Sequence, residues 1–145
     1  MKEIVVKVVF LLTFSVIITI QTGPGLHEWT DFLTKVEQDC INKTGISKTV
    51  IGRTKVTLEL PDDPQYKKYI SCFYKKQGYQ NEDGDILFYN IKNMITDLAN
   101  GTVAIDIVNA CKDFVKQSSH EEYAYTVAKC LLETSKQKLI QEEQE

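Results

Sequence analysis

Four cysteines are the residues of this chain with the widest chemical range, and they are Cys40, Cys72, Cys111 and Cys130. A thiol can serve as a nucleophile, a metal ligand, a buried core residue or half of a disulfide. Structural zinc sites use closely spaced cysteine pairs of the CxxC type, and the sequence contains none. A catalytic thiol beside disulfides would leave an odd cysteine over, and the count is even. In a small secreted chain an even count predicts two disulfides, with all three pairings open.

The N-terminus indicates that the chain is secreted. A short charged start is followed by an apolar stretch at 8–20 and then by a turn-forming segment, which is the layout of a signal peptide. A membrane anchor needs about 20 uninterrupted apolar residues, and Lys7 interrupts this stretch. We expect a signal peptide at 1–25, cleaved between positions 20 and 25. The mature chain is then one extracellular domain at 26–145 without a membrane span.

Residues that support hydrolysis are sparse. The chain has two histidines, His27 and His120, and contains neither HExxH nor GxSxG. In two adjacent acidic pairs, 62–63 and 121–122, the side chains would not face one another on a helix, and both pairs fit turn or cap chemistry. The sequence therefore predicts no enzyme, no metal site and no cofactor.

The charge balance argues against polyanionic partners. The chain has 17 Lys and Arg residues and 20 Asp and Glu residues, for a net charge of −3. Its basic residues are scattered among acidic ones, which is unlike a nucleic-acid footprint or a polybasic membrane-surface patch. We expect no nucleic-acid partner.

The elements that position the cysteines are predicted to be helices. Apolar residues between Trp29 and Cys40 recur at spacings of three and four, the pattern of one helical face. Ser47 is a candidate N-cap for the next helix. A third helix is predicted to start at Asp63-Pro64 and to stop at Gly78. The segment 54–60 is the one candidate strand.

The second half of the chain predicts three more helices, each with a capping residue at its start. The predicted caps are Asp85, Thr102 and the pair Ser118-Ser119. The polar end at 136–145 is expected to fray. The predicted fold class is therefore all-α, with six short helices. Short helices that cross at steep angles often leave a central space, which is a candidate ligand cavity.

The cysteine spacing resembles the insect odorant-binding protein family of the pheromone and general odorant-binding type. Members carry six cysteines, with three residues between the second and third and eight between the fifth and sixth. The cysteines of this chain correspond to the first, third, fourth and sixth, while the second and fifth positions hold Lys68 and Glu121. Loss of these two partners together is typical of the Minus-C subgroup. The resemblance implies the disulfides Cys40–Cys72 and Cys111–Cys130.

The same resemblance implies a function. The family binds small apolar molecules such as odorants, pheromones or fatty-acid derivatives in a cavity between six helices, and carries them through aqueous fluid. The expected partner is a small apolar ligand, with an olfactory receptor or a second copy of the chain as further partners. The same fold also serves as a carrier in haemolymph, glands or saliva. A secreted helical protein that acts by contact with another protein is the second alternative.

Helical facing and the resemblance together select thirteen candidate cavity residues, of which Tyr74 and Tyr123 are the candidate hydroxyl donors. The set is Phe32, Leu33, Val50, Ile51, Phe73, Tyr74, Leu87, Ile91, Met94, Ile107, Phe114, Tyr123 and Val127.

Two further hypotheses concern polar residues. Lys68 and Glu121 carry opposite charges where a disulfide is missing, so we predict an ion pair between them, with His120 as a neighbouring candidate for the same contact. The alternative is that both side chains point to solvent. Asn42 and Asn100 begin Asn-x-Thr sequences and are candidate glycosylation sites.

Overall fold

The structure is a computed structural model that describes residues 24–98 and 101–144. Most of these residues are in helices. Six helices lie in these two ranges, and their bounds are α1 Pro24–Thr44, α2 Lys48–Thr57, α3 Pro64–Gln77, α4 Phe88–Leu98, α5 Gly101–Cys111 and α6 His120–Gln144. The all-α prediction is confirmed. The predicted signal peptide falls outside the described residues except for its last two positions, where α1 begins.

Three helix boundaries lie where side-chain chemistry predicts them. Ser47 precedes α2, and its hydroxyl accepts a hydrogen bond from the Thr49 backbone N–H at 3.2 Å. Asp63 caps α3 in the same way through the Tyr66 N–H at 2.9 Å. Gly78 ends α3 with a φ of +77°, a left-handed conformation that glycine adopts without steric cost.

Other predicted boundaries are wrong. The candidate strand at 54–60 does not form, because its first four residues complete α2. Asp85 lies before α4 but does not cap it, since its side chain binds Asn81 and Lys116 instead. Thr102 lies inside α5. Ser119, in contrast, caps α6 as predicted, because its hydroxyl accepts from the Glu122 N–H at 3.1 Å.

The C-terminal segment, which was expected to fray, continues α6 as helix. The helix runs to Gln144, and two lysines of its second half reach the rest of the protein. The Lys136 ammonium donates to the Leu58 carbonyl, and Lys138 pairs with Asp106 on α5 at 3.0 Å.

Helices α3 and α6 form the centre of the protein. α3 packs against α1 and α6, α6 also packs against α5, and α5 packs against α4. Disulfides Cys40–Cys72 and Cys111–Cys130 join α1 to α3 and α5 to α6, which confirms the pairing that the family resemblance implies. The central α3–α6 contact therefore carries no disulfide and lies between two that do. None of the described helices combines the length and apolarity that a membrane span requires.

Candidate ligand-binding core

An aromatic row on α3 faces the interior. Tyr66, Tyr69 and Phe73 repeat at helical spacing, with ring centroids 6.0 Å apart in each neighbouring pair. Tyr125 of α6 meets the Tyr66 ring edge-on at 6.4 Å. Such tilted and edge-on contacts are favourable geometries for aromatic rings. All four side chains are buried, so the contact between α3 and α6 is largely aromatic.

A polar cluster that the sequence did not predict lies between α1, α2 and α3. Lys55 and Glu37 form an ion pair with N–O distances of 2.7 and 2.8 Å, and both side chains are mostly buried. Thr54 interacts with the Tyr66 hydroxyl. Burial and, secondarily, the negative charge of Glu37 raise the pKa of Tyr69. The two partners in each of these contacts lie on different helices, so helical periodicity alone gave no signal for the cluster.

The buried tyrosines differ in what their hydroxyl groups contact. The Tyr123 hydroxyl donates to the Phe114 carbonyl at 3.3 Å, and the Tyr125 hydroxyl donates to the Leu60 carbonyl at 3.1 Å. The Tyr74 hydroxyl is buried and has no hydrogen-bond partner within the described part of the chain. Of the two hydroxyl donors predicted for a ligand, Tyr123 is therefore already engaged and Tyr74 is available.

Most predicted cavity residues face the interior. Eight of the thirteen are buried and three are half-buried. The buried ones are Leu33, Ile51, Phe73, Tyr74, Ile91, Ile107, Tyr123 and Val127, and the half-buried ones are Val50, Leu87 and Met94. Burial places these side chains in the interior; their contact with a ligand remains a prediction.

Phe32 and Phe114 were predicted to face inward, and both predictions are wrong. Phe32 is 48% exposed because the neighbouring residue Leu33 takes the core-facing position on α1, and adjacent residues on a helix point about 100° apart. Phe114 is 42% exposed because α5 ends at Cys111. The helical spacing used to place Phe114 therefore does not apply beyond that residue.

Phe114 instead borders an open surface groove of about 380 Å³ along α6. The remaining lining residues are Tyr125, Thr126, Lys129, Cys130, Glu133, Thr134 and Gln137. A second groove of about 300 Å³ shares Lys129 and Glu133 and lies towards Leu58 and Leu60. Both grooves are lined by a mixture of polar and apolar side chains. No three His, Cys, Asp or Glu residues of the described chain are grouped so that they could hold a metal ion.

The interface between α3 and α6 carries an ion pair, but with different residues from those predicted. Lys68 is exposed and forms no ion pair with any residue that the structure describes, whereas Glu121 accepts a hydrogen bond from the Ser119 hydroxyl at 3.0 Å. The adjacent residues Lys67 and Glu122 pair instead at 2.8 Å. The predicted Lys68–Glu121 pair is therefore wrong by one residue on each helix.

The loop between α3 and α4 is hydrogen-bonded to the first residue of α6. Gln80, 2% exposed, accepts a hydrogen bond from the Ser71 hydroxyl at 2.6 Å and donates to the carbonyls of Gly84 and His120. The Lys75 ammonium lies 3.4 Å from His120 Nδ1. His120 thus contacts α3 through Lys75, and the predicted contact with Lys68 is wrong.

A model of the PBP/GOBP family, the insect odorant-binding type, matches residues 27–134. The match includes both disulfides and the aromatic contact between α3 and α6. The chain belongs to the PBP/GOBP family. This is a family of carriers that bind small odorant or pheromone molecules, and the prediction made from cysteine spacing is confirmed at that level.

Two curated proteins of Tenebrio molitor resemble this chain along most of their own length. The B1 protein is 28% identical over 119 residues, which is 81% of this chain and 89% of the relative. The B2 protein is 27% identical over 119 residues, which is 81% of this chain and 91% of the relative. No solved structure matches the chain significantly.

Proposed function

We propose that this chain is an extracellular carrier that binds small apolar molecules inside its helical body. Membership of a family of small-ligand carriers is the observation that carries the proposal. Cleavage of the signal peptide between positions 20 and 25 would release it to the extracellular fluid, in keeping with the secretion of family members. We propose further that it belongs to the Minus-C subgroup, which the absence of cysteines at positions 68 and 121 supports.

The interior is suited to such ligands because it is apolar and adaptable. Buried Ile, Leu, Val and Tyr side chains from all six described helices form it, and removing apolar ligand surface from water is worth about 25 cal/mol per Å². Half-buried Met94, with its flexible and polarisable side chain, can adjust to ligands of different shape. Binding and carrying such a ligand require no covalent bond to be made or broken.

Displacement of a fluorescent naphthylamine probe from residues 26–145 tests this proposal. We expect volatile alcohols, esters and fatty acids to displace the probe at micromolar concentration, which corresponds to about −8 kcal/mol. Val127→Phe should weaken probe binding, because it adds volume to a buried position. Val56→Phe, at a position that is 84% exposed, is the matched control. Absence of probe binding by the wild-type protein would contradict the carrier function.

A surface role is the second candidate. Phe114 and Val115 are adjacent and both are exposed, and exposed apolar residues favour contact with another protein, such as a receptor or a second copy of the chain. Failure of the probe to bind, combined with self-association that Val115→Ser abolishes, would favour this role.

Asn42 remains a proposed glycosylation site, while Asn100 lies outside the described residues. The Asn42 side chain is exposed at the end of α1, where its amide oxygen accepts from Gln38 Nε2 at 2.9 Å. A mass shift of the secreted protein after deglycosylation, absent in Asn42→Gln, would establish its occupancy.

A further inference from the structure

The Tyr74 hydroxyl is an unsatisfied polar group in the protein interior. The side chain is 1% exposed, and among the described residues nothing forms a hydrogen bond with its hydroxyl. Native structures contain few such groups, since an unpaired buried donor costs free energy that a paired one does not. An acceptor atom beside the hydroxyl would remove this cost.

The surroundings of Tyr74 restrict what that partner can be. The Tyr79 ring meets the Tyr74 ring edge-on at 5.7 Å, so part of its surroundings is apolar. The ordinary pKa of a tyrosine already lies above physiological pH, and burial raises that of Tyr74 further, so the hydroxyl is protonated and can donate. A partner must reach it from within the helical body and must offer an acceptor atom.

We propose that the Tyr74 hydroxyl is the internal donor that recognises one acceptor oxygen on an otherwise apolar ligand. This inference rests on the proposed carrier function and adds a ligand class to it. The preferred ligands are ketones, esters and aldehydes with an alkyl chain, ahead of hydrocarbons of the same size. Tyr123 and Tyr125 do not compete for the role, because backbone carbonyls already accept from their hydroxyls.

A pair of ligands of equal size tests the assignment in the mature protein. 2-Undecanone and n-dodecane have the same number of heavy atoms, but only the ketone accepts a hydrogen bond. Tyr74→Phe should weaken ketone binding about 5- to 10-fold and leave dodecane binding unchanged. The apo variant should be at least as stable as the wild type, because it loses only an unsatisfied group.

Tyr123→Phe is the control, because its hydroxyl donates to the Phe114 carbonyl. It should affect both ligands equally and lower the stability of the apo protein. An unchanged ketone-to-dodecane ratio in Tyr74→Phe would overturn the inference while leaving the carrier function intact. Loss of apo stability in that variant would also overturn it, because the hydroxyl would then have a partner, such as a trapped water, in the apo protein. Absence of probe binding by the wild type would overturn both proposals.

Discussion

The Lys67 ammonium on α3 lies 2.8 Å from the Glu122 carboxylate on α6. The same ammonium lies 2.6 Å from Asp62 and 4.9 Å from the centroid of the Tyr125 ring. Hydrogen bonds with Asp62 and Glu122 raise the pKa of Lys67. This one side chain thus links α3 both to the segment before it and to α6. No disulfide joins α3 to α6.

Replacing Lys67 should therefore destabilise the protein more than replacing its neighbour Lys68. We expect Lys67→Met to lower the melting temperature measurably, because it removes two ion pairs and a cation–π contact. Lys68→Met removes an exposed side chain with no ion-pair partner in the described chain and should change little. Thermal unfolding followed by circular dichroism compares the two, and equal melting temperatures would contradict the role of Lys67.

Gln80 should be among the most sensitive polar positions. Gln80→Ala removes hydrogen bonds to Ser71, Gly84 and His120 in a buried setting and should cost about 2–3 kcal/mol of unfolding free energy. Gln65→Ala is a matched control, since Gln65 also donates to a backbone carbonyl, that of Thr44, but is exposed. Urea unfolding that gave both variants the same loss would show that the buried network does not hold α6.

Gly84 and Gly78 separate a steric requirement from a conformational one. Both have positive φ, +83° and +77°, so alanine is strained at either position. A Cβ at Gly84 would also overlap the His120 ring, whereas a Cβ at Gly78 meets nothing closer than 3.9 Å. We expect Gly84→Ala to lose about 1–3 kcal/mol more than Gly78→Ala. Equal losses in urea unfolding would mean that His120 moves away without cost.

Stability should fall in acid. The hydrogen bond from Lys116 and then that from Asn81 lower the pKa of Asp85 below its ordinary value of 3.8, and Lys67 lowers that of Asp62. A carboxylate with a lowered folded-state pKa stabilises the protein fully above its ordinary pKa, and this contribution is lost as the pH falls through the folded value. Urea midpoints should therefore drop below about pH 4, and less steeply in Asp85→Asn. If the urea midpoint of Asp85→Asn fell with pH as steeply as that of the wild type, the stabilising role of the Asp85 carboxylate would be contradicted.

Features governed by local chemistry were predictable, and features governed by tertiary contact were not. The caps Ser47 and Asp63 act on backbone groups two or three residues away, so the sequence alone identifies them. The choice between Lys67 and Lys68 depends on the orientation of two helices, and one residue changes the direction of a side chain by about 100°. Asp85 failed as a cap because Lys116, far away in the sequence, binds it instead.

The candidate site shows the same division. Helical periodicity placed Ile91, Ile107 and Val127 in the interior, because burial follows the apolar face of each helix. It could not distinguish Tyr74 from Tyr123, since both are buried tyrosines. The difference arises from a backbone carbonyl in the segment after α5, whose path periodicity does not predict.

Methyl NMR of the isoleucine side chains, with and without a ligand such as 2-undecanone, tests the central claim most directly. Ile51, Ile91, Ile95 and Ile107 are buried, whereas Ile105 and Ile140 are exposed and serve as internal controls. An internal carrier predicts saturable shifts of the buried methyl groups and little change at the exposed ones. Shifts confined to the exposed methyl groups, or no shifts at saturating ligand, would contradict the carrier account.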